Sequence, residues 1–367
     1  MPSPTSPTDS PSPLPTPGTG PAGPRAGAPG APDAPGAPDA PGALGAPDAA
    51  HPQRSRPAPP GPRVPFGSPG HRPAPITHGP RDVALIFEGG GMRGAYTAAL
   101  VRVMLEAGLS FPWVGGISAG CTHTCNFVSR DTWRTREAFV SLAADPRIGG
   151  WGSFLRGRGY FNSEYIYEHT SEPQESLPFD WPTFSASAST VRIGALRCDT
   201  GRSVYWGLED MPTMAHLLPR ARASSSMPVL MPMVRIDGVP YMDGALGPTG
   251  GFALDAARAD GYERFLVVMT RPRGYVKPPV GRPGAYRGLF ARYPALARGI
   301  IERPANYNRT VAELEELERE GRAYLFRPER MPVANGELRY DRIVSAFEAG
   351  LAQARGELPA IEAFLAG

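Results

Sequence analysis

The alternation of apolar and polar positions divides the chain sharply near residue 82. Val83-Ala84-Leu85-Ile86-Phe87 is an unbroken apolar run of the kind buried on both faces of a parallel sheet. Glu88 and three glycines follow, then a helical pattern from Gly94 to about Ala107, with Gly108 as its stop. Phe111 to Val114 reads as a second strand, ending at a glycine turn (Gly115-Gly116-Ile117-Ser118-Ala119-Gly120) ahead of a helix reaching about Arg130. Strand, glycine loop, helix, strand, glycine turn, helix is the alternation of an α/β domain with a parallel sheet.

Further along, Thr190 to Leu196 and Ser203 to Trp206 read as paired strands around Asp199-Thr200-Gly201. Val234 to Ile236 and Val239 to Met242 flank Asp237-Gly238, the signature of a type I′ hairpin, and Pro240 places the return strand at an edge or bulge. Phe265 to Thr270 is another buried strand, and Tyr324 to Phe326 a short one. Helical patterns cover about Met211 to Ala221, Tyr286 to Arg303, Asn306 to Glu320 and Asp341 to Phe364. No boundary divides the chain after residue 81.

Composition changes the picture of the first 80 residues. They hold 25 of the 45 prolines and repeat Ala-Pro-Gly and Ala-Pro-Asp from Gly27 to Asp48. So little apolar surface cannot offset the entropy of ordering, so residues 1–80 are expected to be a disordered Pro/Ala/Gly-rich tail ahead of a catalytic domain over 81–367. Charge is balanced: the tail has five Arg against four Asp, leaving 33 basic against 31 acidic residues. No basic arm suggests nucleic acid as a partner. Three cysteines (Cys121, Cys125, Cys198) are too few for a disulfide scaffold and lack companions for a zinc site, which fits a reduced cytosol. No apolar signal segment opens the chain and no run of about 18 apolar residues occurs, so a cytoplasmic protein is expected.

Two glycine motifs carry chemistry. Gly116-Ile117-Ser118-Ala119-Gly120 fits G-x-S-x-G, in which a strained strand-to-helix turn exposes a serine hydroxyl beside free helix N–H groups. A plain helix-capping serine is the competing reading. Glu88-Gly89-Gly90-Gly91-Met92-Arg93-Gly94 also satisfies G-x-G-x-x-G, but the next strand ends at Trp113-Val114-Gly115-Gly116 without the acid that a dinucleotide ribose requires. Read instead as a run of N–H donors beside the serine, it serves the same reaction. A base is harder to find. His123 lies about 140° around its helix from Ser118. Asp199 with His216 could complete a triad, though His216 sits in an ordinary helical stretch. Of three Asp-Gly pairs, Asp237-Gly238 is explained as a hairpin turn and Asp260-Gly261 as a helix end before a strand, and Asp243-Gly244 after a strand is the remaining candidate acid.

Taken together, Gly89 to Gly94, Gly116 to Gly120 and Asp243-Gly244-Ala245 make the chain resemble the patatin-like phospholipase family over about residues 82–275. The serine-rich stretch Ala223 to Pro228 adds to the likeness. The resemblance implies a three-layer α/β/α fold with a mainly parallel sheet and a serine acyl hydrolase acting on phospholipid, lysophospholipid or other acyl esters without metal or nucleotide cofactor. It assigns Ser118 as nucleophile, Asp243 as its base in a Ser–Asp dyad, and the N–H groups of Gly90, Gly91 and Ala119 as oxyanion donors. Gly89, Met92, Arg93, Gly94, Gly116, Gly120 and Gly244 take supporting places. Ala245, where glycine is commoner, and the Leu246 to Gly251 loop depart from the family pattern. A binding or regulatory protein on the same scaffold is the alternative. For peripheral membrane contact the candidates are the arginine–aromatic stretch from Arg147 to Phe161 and the helix bearing Arg287, Phe290, Tyr293 and Arg298.

Overall fold

The computed structural model describes residues 73–367; the 1–72 part of the expected tail lies outside the described residues. β1 (Val83–Phe87) leads into α1 (Gly94–Glu106), then β2 (Trp113–Ile117) and α2 (Ala119–Val128). The second strand therefore starts later than its pattern suggests and carries both Gly115 and Gly116, so the turn is confined to Ser118. Short helices α3 (Thr132–Glu137), α4 (Trp151–Leu155) and α5 (Trp181–Ser185) precede β3 (Thr190–Arg197) and β4 (Ser203–Trp206). Then come α6 (Met214–Ser224), the hairpin β5 (Val234–Ile236) and β6 (Val239–Asp243), α7 (Leu254–Ala259) and β7 (Arg264–Val268). The chain finishes with α8 (Pro283–Leu289), α9 (Pro294–Arg319), β8 (Ala323–Phe326) and α10 (Tyr340–Ala366).

The eight strands of the described residues join one sheet in the order β5-β6-β3-β2-β1-β7-β8, with β4 added to β3. Strands β3, β2, β1, β7 and β8 are mutually parallel. Side chains of β1 alternate between two cores, as a period of two demands. Val83, Leu85 and Phe87 face a cluster containing Tyr96 and Leu100 of α1, Cys125 of α2 and Ala354 of α10. Ala84 and Ile86 face the other side, toward Ala256 of α7 and Tyr307, Leu314 and Leu317 of α9. Helices on both faces give the three-layer α/β/α architecture. Among the described residues no helix is long and apolar enough to cross a membrane.

Several expectations are corrected. The Asp237-Gly238 hairpin forms with φ of 51° and 78°, as a type I′ turn requires. Pro240, however, lies on a strand flanked on both sides, opposite the end of β3, where its carbonyl accepts the Cys198 N–H at 2.9 Å. The two helices expected around Pro304 are one: α9 runs through that proline, which is buried, and the break falls earlier, between α8 and α9. Residues 74–78, assigned to the tail by composition, bond to the rest of the chain. Ala74 N–H bonds the Arg130 carbonyl at 2.9 Å, and the Arg130 guanidinium returns to the Pro75 and Leu109 carbonyls.

The seam between α1 and α10 is set by close backbone approach. A β-carbon at Gly350 would lie 2.2 Å from the Tyr96 carbonyl oxygen, so only glycine lets the helices meet there. Gly350→Ala is expected to cost about 1–3 kcal/mol in urea unfolding through overpacking; an unchanged midpoint would mean that α10 is not seated on α1.

Candidate active site

The site is made by one strand edge. On one side β3 pairs with β4 (Gly194 with Tyr205, Ala195 with Val204). On the other, Gly194 pairs with Ile117 of β2, while the next residue, Ala195, pairs with Asp243 of β6. β2 runs parallel to β3 and β6 antiparallel, so the two strands share that edge and meet head to head. Ser118, one residue past β2, and Asp243, the last residue of β6, are thereby brought together. The Ser118 hydroxyl lies near enough to the Asp243 carboxyl to favour its ionised form.

Ser118 holds φ 59° and ψ −124°, a strained conformation for a residue with a side chain. Three contacts over-determine it. Its N–H donates to the Ser224 hydroxyl at 3.0 Å, and that hydroxyl donates to the Gly194 carbonyl at 2.6 Å. Gly120 brings α2 against β1 so closely that a β-carbon there would sit 2.2 Å from the Phe87 carbonyl oxygen. Gly89 of the glycine loop lies against Ser118 itself.

Asp243 is fixed as tightly. Its N–H donates to the Ser226 carbonyl at 2.9 Å, and its carboxylate accepts the Ala245 N–H at 2.9 Å. Burial pushes its carboxyl above the usual carboxylate range. The charge of Arg303 on α9, the Ala245 N–H and the Ser118 hydroxyl pull it back. Arg303 sits one helical turn after Gly299, whose α-carbon faces the Leu246 carbonyl, and its buried Nε donates to no acceptor among the described residues.

The glycine loop borders the serine, and Gly91 and Ser118 line one cavity. Gly89 N–H is taken by the Gly251 carbonyl at 3.1 Å and Met92 N–H by the Asn335 carbonyl at 2.9 Å. Between them, the Gly90 and Gly91 N–H groups have no acceptor among the described residues. Gly91 adopts φ 53° with Asn335 packed over it. Arg93 is buried behind the loop, where Nε donates to Thr270 Oγ1 at 3.4 Å, so it orders the loop rather than facing the cavity. Gly91, Met92, Ser118 and Ala119 line an apolar cavity of about 80 Å³, with Phe139, Leu142, Ile148, Phe161, Tyr167 and Met227 among its other walls.

Among the described residues no histidine joins the serine. His123 is buried, bonds Thr97 at 2.8 Å and packs on Phe139; burial pushes its pKa down to about 3. His216 is exposed and bonds Thr213, and Asp199 pairs with Arg197, so the Asp199–His216 pair does not assemble.

Residues 85–252, a span containing all three motifs, match the family model Patatin-like phospholipase. Over that span the chain is similar to the patatin-like phospholipase family. A second family model, a domain of unknown function (DUF6363), matches residues 293–366. The chain is 25% identical over 198 residues to the uncharacterized protein YjjU of Escherichia coli (strain K12). That alignment covers 53% of each chain, so it spans about half the length of this relative. Among solved structures, VipD from Legionella pneumophila aligns with a TM-score of 0.39 at 11% identity, covering 79% of this chain and 70% of that one.

Residues outside the patatin-like match complete its site. Arg303 and Asn335, both within 293–366, reach Asp243 and the glycine loop, and Asn306 donates to the Gly247 carbonyl at 3.3 Å. No sequence motif singles out Arg303 or Asn335. Ser224 and Ser226 were visible as part of a serine-rich stretch, and their roles as separate braces for Ser118 and Asp243 follow from the fold. Ser224→Ala strands the buried Ser118 N–H, and a loss of about 1–3 kcal/mol in urea unfolding is expected. A neutral result would mean that the serine turn is held without this bridge.

Proposed function

We propose that the chain is a serine acyl hydrolase that cleaves fatty acyl esters of the phospholipid or lysophospholipid type through Ser118 and Asp243. One observation carries this reading: a buried serine on a strained strand-to-helix turn lies beside a buried carboxylate, lines an apolar cavity, and adjoins a glycine loop in which two backbone N–H groups have no acceptor among the described residues. The patatin-like match supports hydrolase chemistry of this type.

In the first half-reaction Ser118 Oγ attacks the ester carbonyl while its proton passes to Asp243. The carbonyl oxygen becomes an oxyanion held by the N–H groups of Gly90, Gly91 and Ala119, each worth roughly 3 kcal/mol of barrier. Ala119 contributes as the first residue of α2, whose N-terminal dipole also favours the negative charge. Collapse breaks the C–O bond, and the alcohol leaves with the proton from Asp243. Asp243 then takes a proton from water, whose oxygen attacks the acyl-serine; the acid is released and Ser118 recovers its proton. Burial serves the base role, because a carboxylate with a raised pKa is a better proton acceptor than a solvated one. The cavity walls of Phe139, Leu142, Ile148 and Phe161 suit an acyl chain.

A fluorophosphonate probe and soluble short-chain esters test the assignment. Ser118→Ala is expected to abolish labelling, Asp243→Asn to reduce turnover by about 10³-fold or more, and His216→Ala to leave it near wild type. Loss of turnover in His216→Ala would restore a histidine base, and a folded wild type that resists labelling would favour a binding scaffold without turnover.

The acid limb of kcat/KM should report Asp243, which must be ionised to accept a proton. Arg303 lowers that pKa, so Arg303→Gln is expected to move the limb to higher pH. An unmoved limb would mean that Arg303 does not act on the base.

A further inference from the structure

Large apolar side chains stand exposed together on one side of the cavity. In α4, Leu155 is 84% exposed, Trp151 61% and Phe154 39%. Trp151 packs edge-on against Phe154 at 5.9 Å and Tyr160 at 5.7 Å, so this is an ordered ledge of rings. Gly150, Gly157 and Gly159 all have positive φ, bending the segment so that it doubles back under α4. The loop 227–232 is joined to it where Tyr160 N–H donates to the Leu230 carbonyl at 2.6 Å. That loop adds Val229, 41% exposed and held at φ 69°, a conformation that β-branched residues avoid.

The same two segments form the cavity wall with their buried halves. Ile148 and Phe161 flank α4 and line the cavity beside Ser118, as do Met227 and Met231 of the second loop. Tyr160 bridges the two surfaces, packing on Trp151 outside and on Phe161, a cavity wall, at 5.2 Å. Apolar surface is thus continuous from the exposed ledge to the serine.

Charge selects what the ledge would meet. From 146 to 163 there are three arginines and no acid, and 227–233 is uncharged. Arg147 is paired with Asp145, whereas Arg156 and Arg158 stand exposed beside Leu155. Exposed indole, phenyl and leucine side chains with free guanidinium groups match the interfacial zone of an anionic bilayer. The other arginine–aromatic stretch is different in kind. Tyr286, Phe290 and Tyr293 pack inward on the cluster of Leu196, Met242 and Leu246, leaving only Leu289 outward.

We propose that α4 and the adjoining loop 227–232 form a docking surface for an anionic phospholipid bilayer, placed so that an acyl chain passes from the bilayer to Ser118 along apolar wall. The proposal rests on the acyl-hydrolase reading for its substrate, but binding and turnover are measured separately. Full-length Ser118→Ala, which leaves the lipid intact, is mixed with vesicles of equal parts phosphatidylcholine and phosphatidylglycerol, or of phosphatidylcholine alone, and partitioning is read by co-flotation. The expected result is binding that favours the mixed vesicles and weakens with salt. Adding Trp151→Ser with Leu155→Ser is expected to lower the partition coefficient roughly tenfold or more. Adding instead Arg156→Gln with Arg158→Gln is expected to lower it about 20-fold on the mixed vesicles and leave it unchanged on phosphatidylcholine. Thermal unfolding of each variant confirms that it is folded, and because the two pairs change different chemistry, either suffices if the other does not fold.

The proposal is overturned if Ser118→Ala ignores both vesicle types, or if folded variants partition as their parent does. It is equally overturned if the parent is a dimer that the Trp151/Leu155 change dissociates while vesicles bind neither, which would make a second copy the occupant. Patch-dependent binding together with a wild type that fails to cleave soluble esters would keep the docking surface and remove the hydrolase reading. Turnover without patch-dependent binding would do the reverse.

Discussion

Everything in the site depends on a shared strand edge. β3 is long enough to take two partners along one side, β2 over Thr190–Gly194 and β6 over Ala195–Arg197. Because those partners run in opposite directions, their C-terminal ends are forced together, and each end carries one member of the Ser118–Asp243 pair. A sheet register tolerates no slip of one residue without turning every side chain to the other face. The pairing that buries the core therefore also sets the separation of Ser118 and Asp243.

The arrangement works against stability at two points. Ser118 occupies a backbone region that costs of order 1–3 kcal/mol, and a carboxylate is buried beside it. The surroundings offset both. Ser224 satisfies the strained N–H, Ser226 and Ala245 hold the aspartate, and Arg303 supplies a compensating charge. Much of this bracing comes from the C-terminal helical part, since Arg303, Asn306 and Asn335 all lie in the span matched by the second family model. That part is a buttress: α9 covers one face of the sheet and α10 the other.

What was legible in the sequence was local. β1 announced itself as five consecutive buried apolar residues, the Asp237-Gly238 turn by its residue types, and the serine turn by small residues two before and two after Ser118. The meeting of Asp243 with Ser118 was not local, because it arises from two strands sharing a third that is separated from each by tens of residues. The motif resemblance assigned that acid its role, whereas the local pattern only left Asp243 as the Asp-Gly pair not yet explained and did not tell an acid from one more turn residue. Pro304 misled for a physical reason: a proline normally ends a helix, yet here tertiary packing carries α9 through it. Arg303 is one of many arginines and Asn335 lies in an irregular loop, so neither carried any periodic or motif signal. The contacts of residues 74–78 were not legible because they are made through backbone bonds and Arg130, with little apolar patterning to show them.

The central claim is that Ser118 and Asp243 act as one unit because the β3 edge fixes them against each other. A double-mutant cycle on turnover of a soluble ester addresses it most directly, with Ser118→Ala, Asp243→Asn and the two combined. Groups that act as a unit are strongly non-additive, so the double variant is predicted to be no slower than the worse single one. Losses that multiply, each substitution taking its full factor in the presence of the other, would contradict the account.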